Sequence, residues 1–153
     1  MTKNEIEILL VEDNATDVEL TMRALRHDKL DGCVQVVRDG EEALDCLFCR
    51  GAYSARRFDQ PPSLVLLDLK LPKLAGQEVL REVKSDPRTK AIPVVVMTSS
   101  VEEKDLAQSY RLGVNSYVQK SVDFRLFEER VKQLELYWLH VNEAPPPGAF
   151  LME

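Results

Sequence analysis

Two rhythms of apolar residues run along the chain. Three short stretches, ILLV, LVLL and VVVM, are apolar at every position. They predict strands over Ile6 to Val11, Leu64 to Leu67 and Pro93 to Met97, each covered on both faces. Two further stretches, VQVV from Val34 and SYVQ from Ser116 to Gln119, mix in polar residues and read as edge strands. Between the strands the spacing becomes helical. Val18, Met22 and Leu25 share one face after Thr16, which with Glu19 forms a capping box as N-cap. Leu44, Leu47 and Phe48 lie inward in a helix over Glu41 to Arg50, stopped by Gly51. Val79, Leu80 and Val83 mark a third helix ending at Asp86-Pro87. Val101 to Leu112 forms a fourth, with a weaker apolar face closed by Gly113. Phe124, Phe127, Val131, Leu134 and Trp138 make one core stripe of a long last helix.

Asp31-Gly32 turns the chain before the second strand, and Asp39-Gly40 ends that strand. The tail NEAPPPGAFLME reads as irregular or extended. Five strands alternating with five helices imply a parallel sheet with helices on both faces. The polarity of each strand places the second and fifth at the edges. This is an α/β three-layer sandwich of the flavodoxin-like type, in strand order 2-1-3-4-5. Residues 1–140 form one domain and 141–153 a proline-rich tail.

Composition narrows the function. The 153 residues carry 20 Lys plus Arg against 26 Asp plus Glu, a net charge of −6, which argues against nucleic acid as the main ligand. No run is long and apolar enough to span a membrane, and the N-terminus has no signal-peptide core. A cytoplasmic protein is expected. Cys33, Cys46 and Cys49 are an odd number for a disulfide framework. Cys46 and Cys49 lie in a predicted helix with no second pair, so they read as small packers. His27 and His140 have no ligand cluster around them, and Asn14-Ala15-Thr16 matches a glycosylation pattern only by accident.

In a parallel sheet of this kind, ligands bind beyond the C-terminal strand ends. The first strand ends in Glu12 and Asp13, the third in Asp68, the fourth in Thr98 and the fifth in Lys120. Helix capping accounts for Asp17 and Asn14, and in part for Glu12 and Asp13. Three carboxylates in one crevice repel one another, and a divalent cation relieves that conflict. Hard oxygen donors suit Mg²⁺. A carboxylate, a metal, a lysine and a hydroxyl are what phosphoryl transfer needs. Asp68, at the centre of the crevice, is the natural acceptor.

The pieces LLVEDN, LVLLDLKLP, VVVMTSS and YVQKS, in this order, resemble a response-regulator receiver domain of two-component signalling. The resemblance runs from about Glu5 to Leu139. It implies that Asp68 takes a phosphoryl group from a phosphohistidine on a sensor histidine kinase. It maps the metal ligands to Glu12, Asp13, Asp68 and the backbone carbonyl of Lys70. It maps the phosphate-contacting pair to Thr98 and Lys120, and the rotating switch to Tyr117. It also implies no enzymatic activity beyond self-phosphorylation and autodephosphorylation at Asp68, which Lys70 and Ser100 would tune. LVEDNATDVELTMRAL, the long connection before LVLLDL, and YWLHVNEAPP are most similar to stand-alone regulators paired with cyanobacterial and bacterial phytochromes. At Ser121 the chain departs from the family, many of whose members carry a proline there after a cis peptide. A cis bond before serine costs about 3–4 kcal/mol.

No output domain is expected after the last helix, and output is expected through docking. Leu126, Leu136, Tyr137, Leu139 and Val141 fall partly outside the core stripe. They predict a homodimer through the last helix, with Phe124 and Trp138 contributing and the tail laid on the partner; the alternative is a tail folded over its own domain. Three other functions compete. A receiver-like scaffold that binds without being phosphorylated would normally lack one of the five site residues. A Mg²⁺-dependent phosphatase needs an acid where Lys70 stands. A flavin carrier needs a phosphate loop where the acidic EDNATD lies.

Overall fold

The computed structural model describes residues 6–25 and 33–150; His27 and Asp31-Gly32 lie outside them. The elements in chain order are β1 (Ile8–Val11), α1 (Ala15–Leu25), β2 (Val34–Val37), α2 (Gly40–Leu47), β3 (Leu64–Leu67), α3 (Gly76–Ser85), β4 (Val94–Thr98), α4 (Glu103–Leu112), β5 (Ser116–Gln119) and α5 (Phe124–Glu135). The strands are all parallel and lie in the order β2-β1-β3-β4-β5. β1, β3 and β4 are buried at every position, while β2 and β5 are half-exposed. The polarity of the five stretches therefore predicted the sheet order.

Strand alternation divides the core into two layers. Ile8, Leu10, Leu64, Leu66, Val95 and Met97 face α1 and α5, where Val18, Leu25, Phe127 and Val131 are buried. Leu9, Val11, Val65, Leu67, Val94 and Val96 face the other way, against Leu44, Leu47, Val79, Leu80 and Val83 of α2 and α3. Asp39 caps α2 through the Glu42 N–H, and Asp123 caps α5 through the N–H groups of Arg125 and Leu126. Gly113 closes α4 at φ +102°, a left-handed position that glycine adopts without steric cost.

Several boundaries differ from expectation. The N-cap of α1 is Asn14, whose Oδ1 accepts from the Asp17 N–H at 2.9 Å; Thr16 lies inside the first turn. The helix therefore starts two residues before the expected capping box. α2 ends at Leu47, and the chain turns at Cys49, with φ +55°, before Gly51. Arg56, itself buried, donates to the Cys46 carbonyl, satisfying an end of α2 that the sequence pattern left open. Cys46 and Cys49 remain thiols, and burial pushes the Cys46 thiol up to about 11. The Lys120-Ser121 peptide is trans.

The last helix departs most. Phe127 and Val131 are buried, with Leu134 and Trp138 packed on them, but Phe124 is 64% exposed. Phe124 stands beside Leu20, Lys120 and Ser121 on the rim of an open cleft, so it leaves the core stripe. Beyond Glu135 the helix continues as a π-helical segment, Leu136–Val141. Leu126, Leu136, Tyr137 and Val141 are exposed, and Trp138 and Leu139 are half-buried against their own core. The tail forms a short 3₁₀ turn, Pro147–Ala149, and then buries Phe150 in the layer under α2 and α3. The tail thus folds back onto its own domain through this ring, against the expectation that it lies on a partner. A phenylalanine left in water would forfeit about 2–3 kcal/mol of burial.

Candidate phosphoacceptor site

The parallel ladder continues one residue past the strands and lines up the site. The Glu12 N–H donates to the Val37 carbonyl, the Asp68 N–H to Val11 and the Lys120 N–H to Thr98, at 3.0, 3.1 and 2.8 Å. Each of the three is therefore fixed by a backbone bond just past its strand; Glu12 and Asp68 stand level across β1 and β3, while Lys120 lies two residues further along the sheet. Thr98 is the last residue of β4 and is fully buried. Two glycines let helix starts approach this level. A Cβ on Gly76 would lie 2.3 Å from the Asp68 carbonyl oxygen, and one on Gly40 would lie 2.2 Å from the Leu74 carbonyl oxygen.

The site is a buried charge cluster. Glu12 and Asp68 are 3% and 7% exposed, while Asp13 is exposed at the mouth. The Lys120 ammonium sits 2.5 Å from Glu12 Oε1, 2.7 Å from Asp17 Oδ2 and 3.0 Å from Asp68 Oδ2. The other oxygens have backbone donors: Asn14 N–H to Glu12 Oε2 at 3.2 Å, and Lys70 N–H to Asp68 Oδ1 at 3.3 Å. Burial raises the Glu12 carboxyl to about 7; the Lys120 hydrogen bond opposes the rise and the Asp68 charge adds to it. Burial works against the charge on Lys120, but hydrogen bonds to Asp17 and Glu12 and the Asp68 charge outweigh it. The ammonium is held above the ordinary lysine range.

One carboxylate oxygen from each of Glu12, Asp13 and Asp68 lies within 4.8 Å of the others. Hard oxygens at that spacing fit a small divalent cation. Lys120 faces three carboxylates and Asp13 adds a fourth to the crevice, so the crevice keeps a surplus of negative charge for a cation to neutralise.

Around the switch positions, the Tyr117 hydroxyl donates to the Ser100 carbonyl at 3.0 Å, and Ser100 Oγ donates to Asp105 Oδ2 at 2.6 Å. The Ser100 N–H reaches Thr98 Oγ1 at 3.4 Å. β4, α4 and β5 are thus tied together beside Asp68.

Of the residues read from the strand ends, Glu12, Asp13 and Asp68 cluster together, Lys120 pairs with Glu12 and Asp68, and Thr98 is buried at the end of the neighbouring strand, its carbonyl accepting from the Lys120 N–H. Asp17 was assigned to helix capping, yet it is a direct partner of Lys120. The sequence carries no signal for this pairing, because an acidic residue in a first helical turn is ordinary and its lysine lies 103 residues further along the chain. The Gly76 approach had no sequence signal, because it depends on how α3 packs.

Known proteins carry the same pattern. The family model of the response regulator receiver domain matches residues 8–132. The chain is 42% identical over 143 residues to the probable methanogenesis regulatory protein FilR2 of Methanothrix harundinacea (strain 6Ac), covering 92% of this chain and 88% of that one. It is 41% identical over 139 residues to response regulator Rcp1 of Synechocystis sp. (strain ATCC 27184 / PCC 6803 / Kazusa), covering 90% and 92%. The Mn(2+)-bound form of Rcp1 superposes with a TM-score of 0.83 at 40% identity, over 90% of this chain and 97% of the other. The phosphorylated cyanobacterial phytochrome response regulator RcpA superposes with a TM-score of 0.85 at 44% identity, over 90% and 96%. Sheet order, strand-end chemistry and similarity over nine-tenths of the chain agree, and the protein belongs to the response regulator receiver domain family.

Proposed function

We propose that this protein accepts a phosphoryl group on Asp68 from a phosphohistidine of a sensor histidine kinase and signals by altered docking. The observation that carries the reading is the Asp68 carboxylate. It lies at the end of the central strand, within hydrogen-bond reach of Lys120 and in one cluster with Glu12 and Asp13. Glu12, Asp13, Asp68 and the backbone carbonyl of Lys70 would hold Mg²⁺, which supplies positive charge to the phosphoryl oxygens.

Asp68 does the covalent step. One of its oxygens bonds to phosphorus as the N–P bond breaks. The bonding pair leaves on the imidazole, which departs neutral when its other nitrogen is protonated. Lys120 holds the carboxylate in place and then offers an N–H to the transferred group. Thr98, moving toward that group, offers its hydroxyl, and Tyr117 packs inward behind it. These shifts alter the face built from α4, β5 and α5, where the half-buried Tyr117 hydroxyl donates to the Ser100 carbonyl. The chain's own covalent chemistry stays with gain and loss of this phosphoryl group.

The partner reading is narrower. RcpA is described as a cyanobacterial phytochrome response regulator, which supports a phytochrome-type kinase as donor. Exposed Leu126, Leu136 and Tyr137 support a homodimer through the last helix, with Phe124 and Trp138 at its margins. A cytoplasmic setting fits a kinase donor, and no described helix is long and apolar enough to cross a membrane.

The test is incubation with Mg²⁺ and acetyl phosphate. The expected product is an acid-stable, base-labile phosphoprotein that Asp68→Asn abolishes. Wild-type protein that stays unmodified with acetyl phosphate, and also with a panel of kinases including a phytochrome kinase, would leave the scaffold reading.

A further inference from the structure

Lys120 has three N–H donors, and each faces a carboxylate: Glu12, Asp17 or Asp68. Glu12 and Asp68 belong to the set that would hold the cation. Asp17 does not; its side chain reaches in from α1 and is only 23% exposed. An ammonium and a divalent cation crowd one another over the same two carboxylates. As the cation enters, Lys120 must loosen its hold on Glu12 and Asp68. Its side chain is 11% exposed, so water is a poor substitute partner.

We propose that Asp17 is a positioning residue that receives the Lys120 ammonium when a divalent cation enters the crevice. It keeps the lysine beside Asp68 and removes the cost of stranding a buried charge. The inference rests on the reading of the crevice as a Mg²⁺-dependent phosphoacceptor site and adds a role for a residue outside the cation's ligand set. It also gives a reason for a carboxylate at a position that capping by Asn14 leaves without a task.

A negative charge near a cation also attracts it directly, so the test separates the two effects. Mg²⁺ affinity is measured by calorimetry, and Mn²⁺ affinity by paramagnetic resonance, for the wild type, Asp17→Asn, Lys120→Met and the double variant. Asp17→Asn is expected to weaken binding about fivefold or more when Lys120 is present. In the Lys120→Met background the same change is expected to matter by less than about twofold. Asp17→Glu, which keeps the carboxylate, is expected to recover most of the affinity. Circular dichroism confirms that each variant is folded.

Equal weakening in both backgrounds would mean that Asp17 acts through its charge alone and would overturn the proposal. So would unchanged or tighter binding by Asp17→Asn alone. If the wild type takes a phosphoryl group on Asp68 while the cycle is additive, only this inference falls. If the wild type neither binds the cation nor is phosphorylated, the phosphoacceptor reading falls with it.

Discussion

Two lysines, one at each end of the sheet, are surrounded by three oxygen acceptors, and their surroundings differ in one respect. At the C-terminal strand ends, Lys120 faces three carboxylates. At the opposite end, the Lys84 ammonium donates to the carbonyls of Lys90 and Ile92 and to Asn115 Oδ1, at 2.9, 2.7 and 2.9 Å. Those acceptors are neutral. Burial therefore lowers Lys84 to about 8, whereas the carboxylates hold Lys120 above the ordinary range. The Lys84 clip joins α3 to the segments before β4 and β5, and Asn115 Oδ1 also accepts from the Val94 N–H. Nothing there invites a second cation. The Lys120 cluster has more negative charge than its lysine can balance. The same side chain is a fastener at one end of the fold and a displaceable counter-ion at the other.

Breaking each lysine in turn exposes the contrast. Lys120→Met is expected to have the largest effect: phosphorylation of Asp68 by acetyl phosphate should slow by about 100-fold, as for loss of one donor to a developing charge. Mg²⁺ should bind more tightly in that variant, because its competitor is gone. A phosphorylation time course and a calorimetric titration check both.

Gly76→Ala probes the same end through the backbone. Its methyl group would meet the Asp68 carbonyl at 2.3 Å and Leu69 Cα at 2.6 Å, neither able to swing aside. A stability loss of about 2–3 kcal/mol in urea unfolding is expected, together with slower phosphorylation.

Lys84→Met should cost about 1–2 kcal/mol of stability by leaving carbonyl oxygens without a donor, and should leave Mg²⁺ affinity and phosphorylation unchanged. A change in either would mean that the two ends are coupled.

The last contrast is a pH dependence. The folded-state value of Lys84 lies below that of the unfolded chain, so between about pH 8 and 10.5 the unfolded chain holds more protons. This group's contribution to stability therefore rises with pH across that window. The gap in unfolding free energy between wild type and Lys84→Met should widen in the same range. Cys46, raised by burial, titrates in both proteins and cancels from the difference.

Legibility followed the same division. Uninterrupted runs such as LVLL and VVVM announced central strands, since only residues covered on both faces can be apolar at every position. The site followed from knowing where parallel strands end. An acidic residue early in a helix has a sufficient local explanation, and only the packing of α1 against α5 across the face of the sheet brings Asp17 to Lys120. Phe124 was misassigned because its spacing fits the core stripe. The cleft beside Lys120 leaves that ring outside.

The sequence by itself determined the strands, their order and the strand ends at which Glu12, Asp68 and Lys120 stand, because burial on two faces and strand polarity are written locally in residue type. Tertiary structure alone decided which carboxylates share the lysine, how closely α3 approaches the acceptor and where Phe150 is buried. Those outcomes depend on distances between segments far apart in the chain, and residue spacing within any one segment carries no record of them.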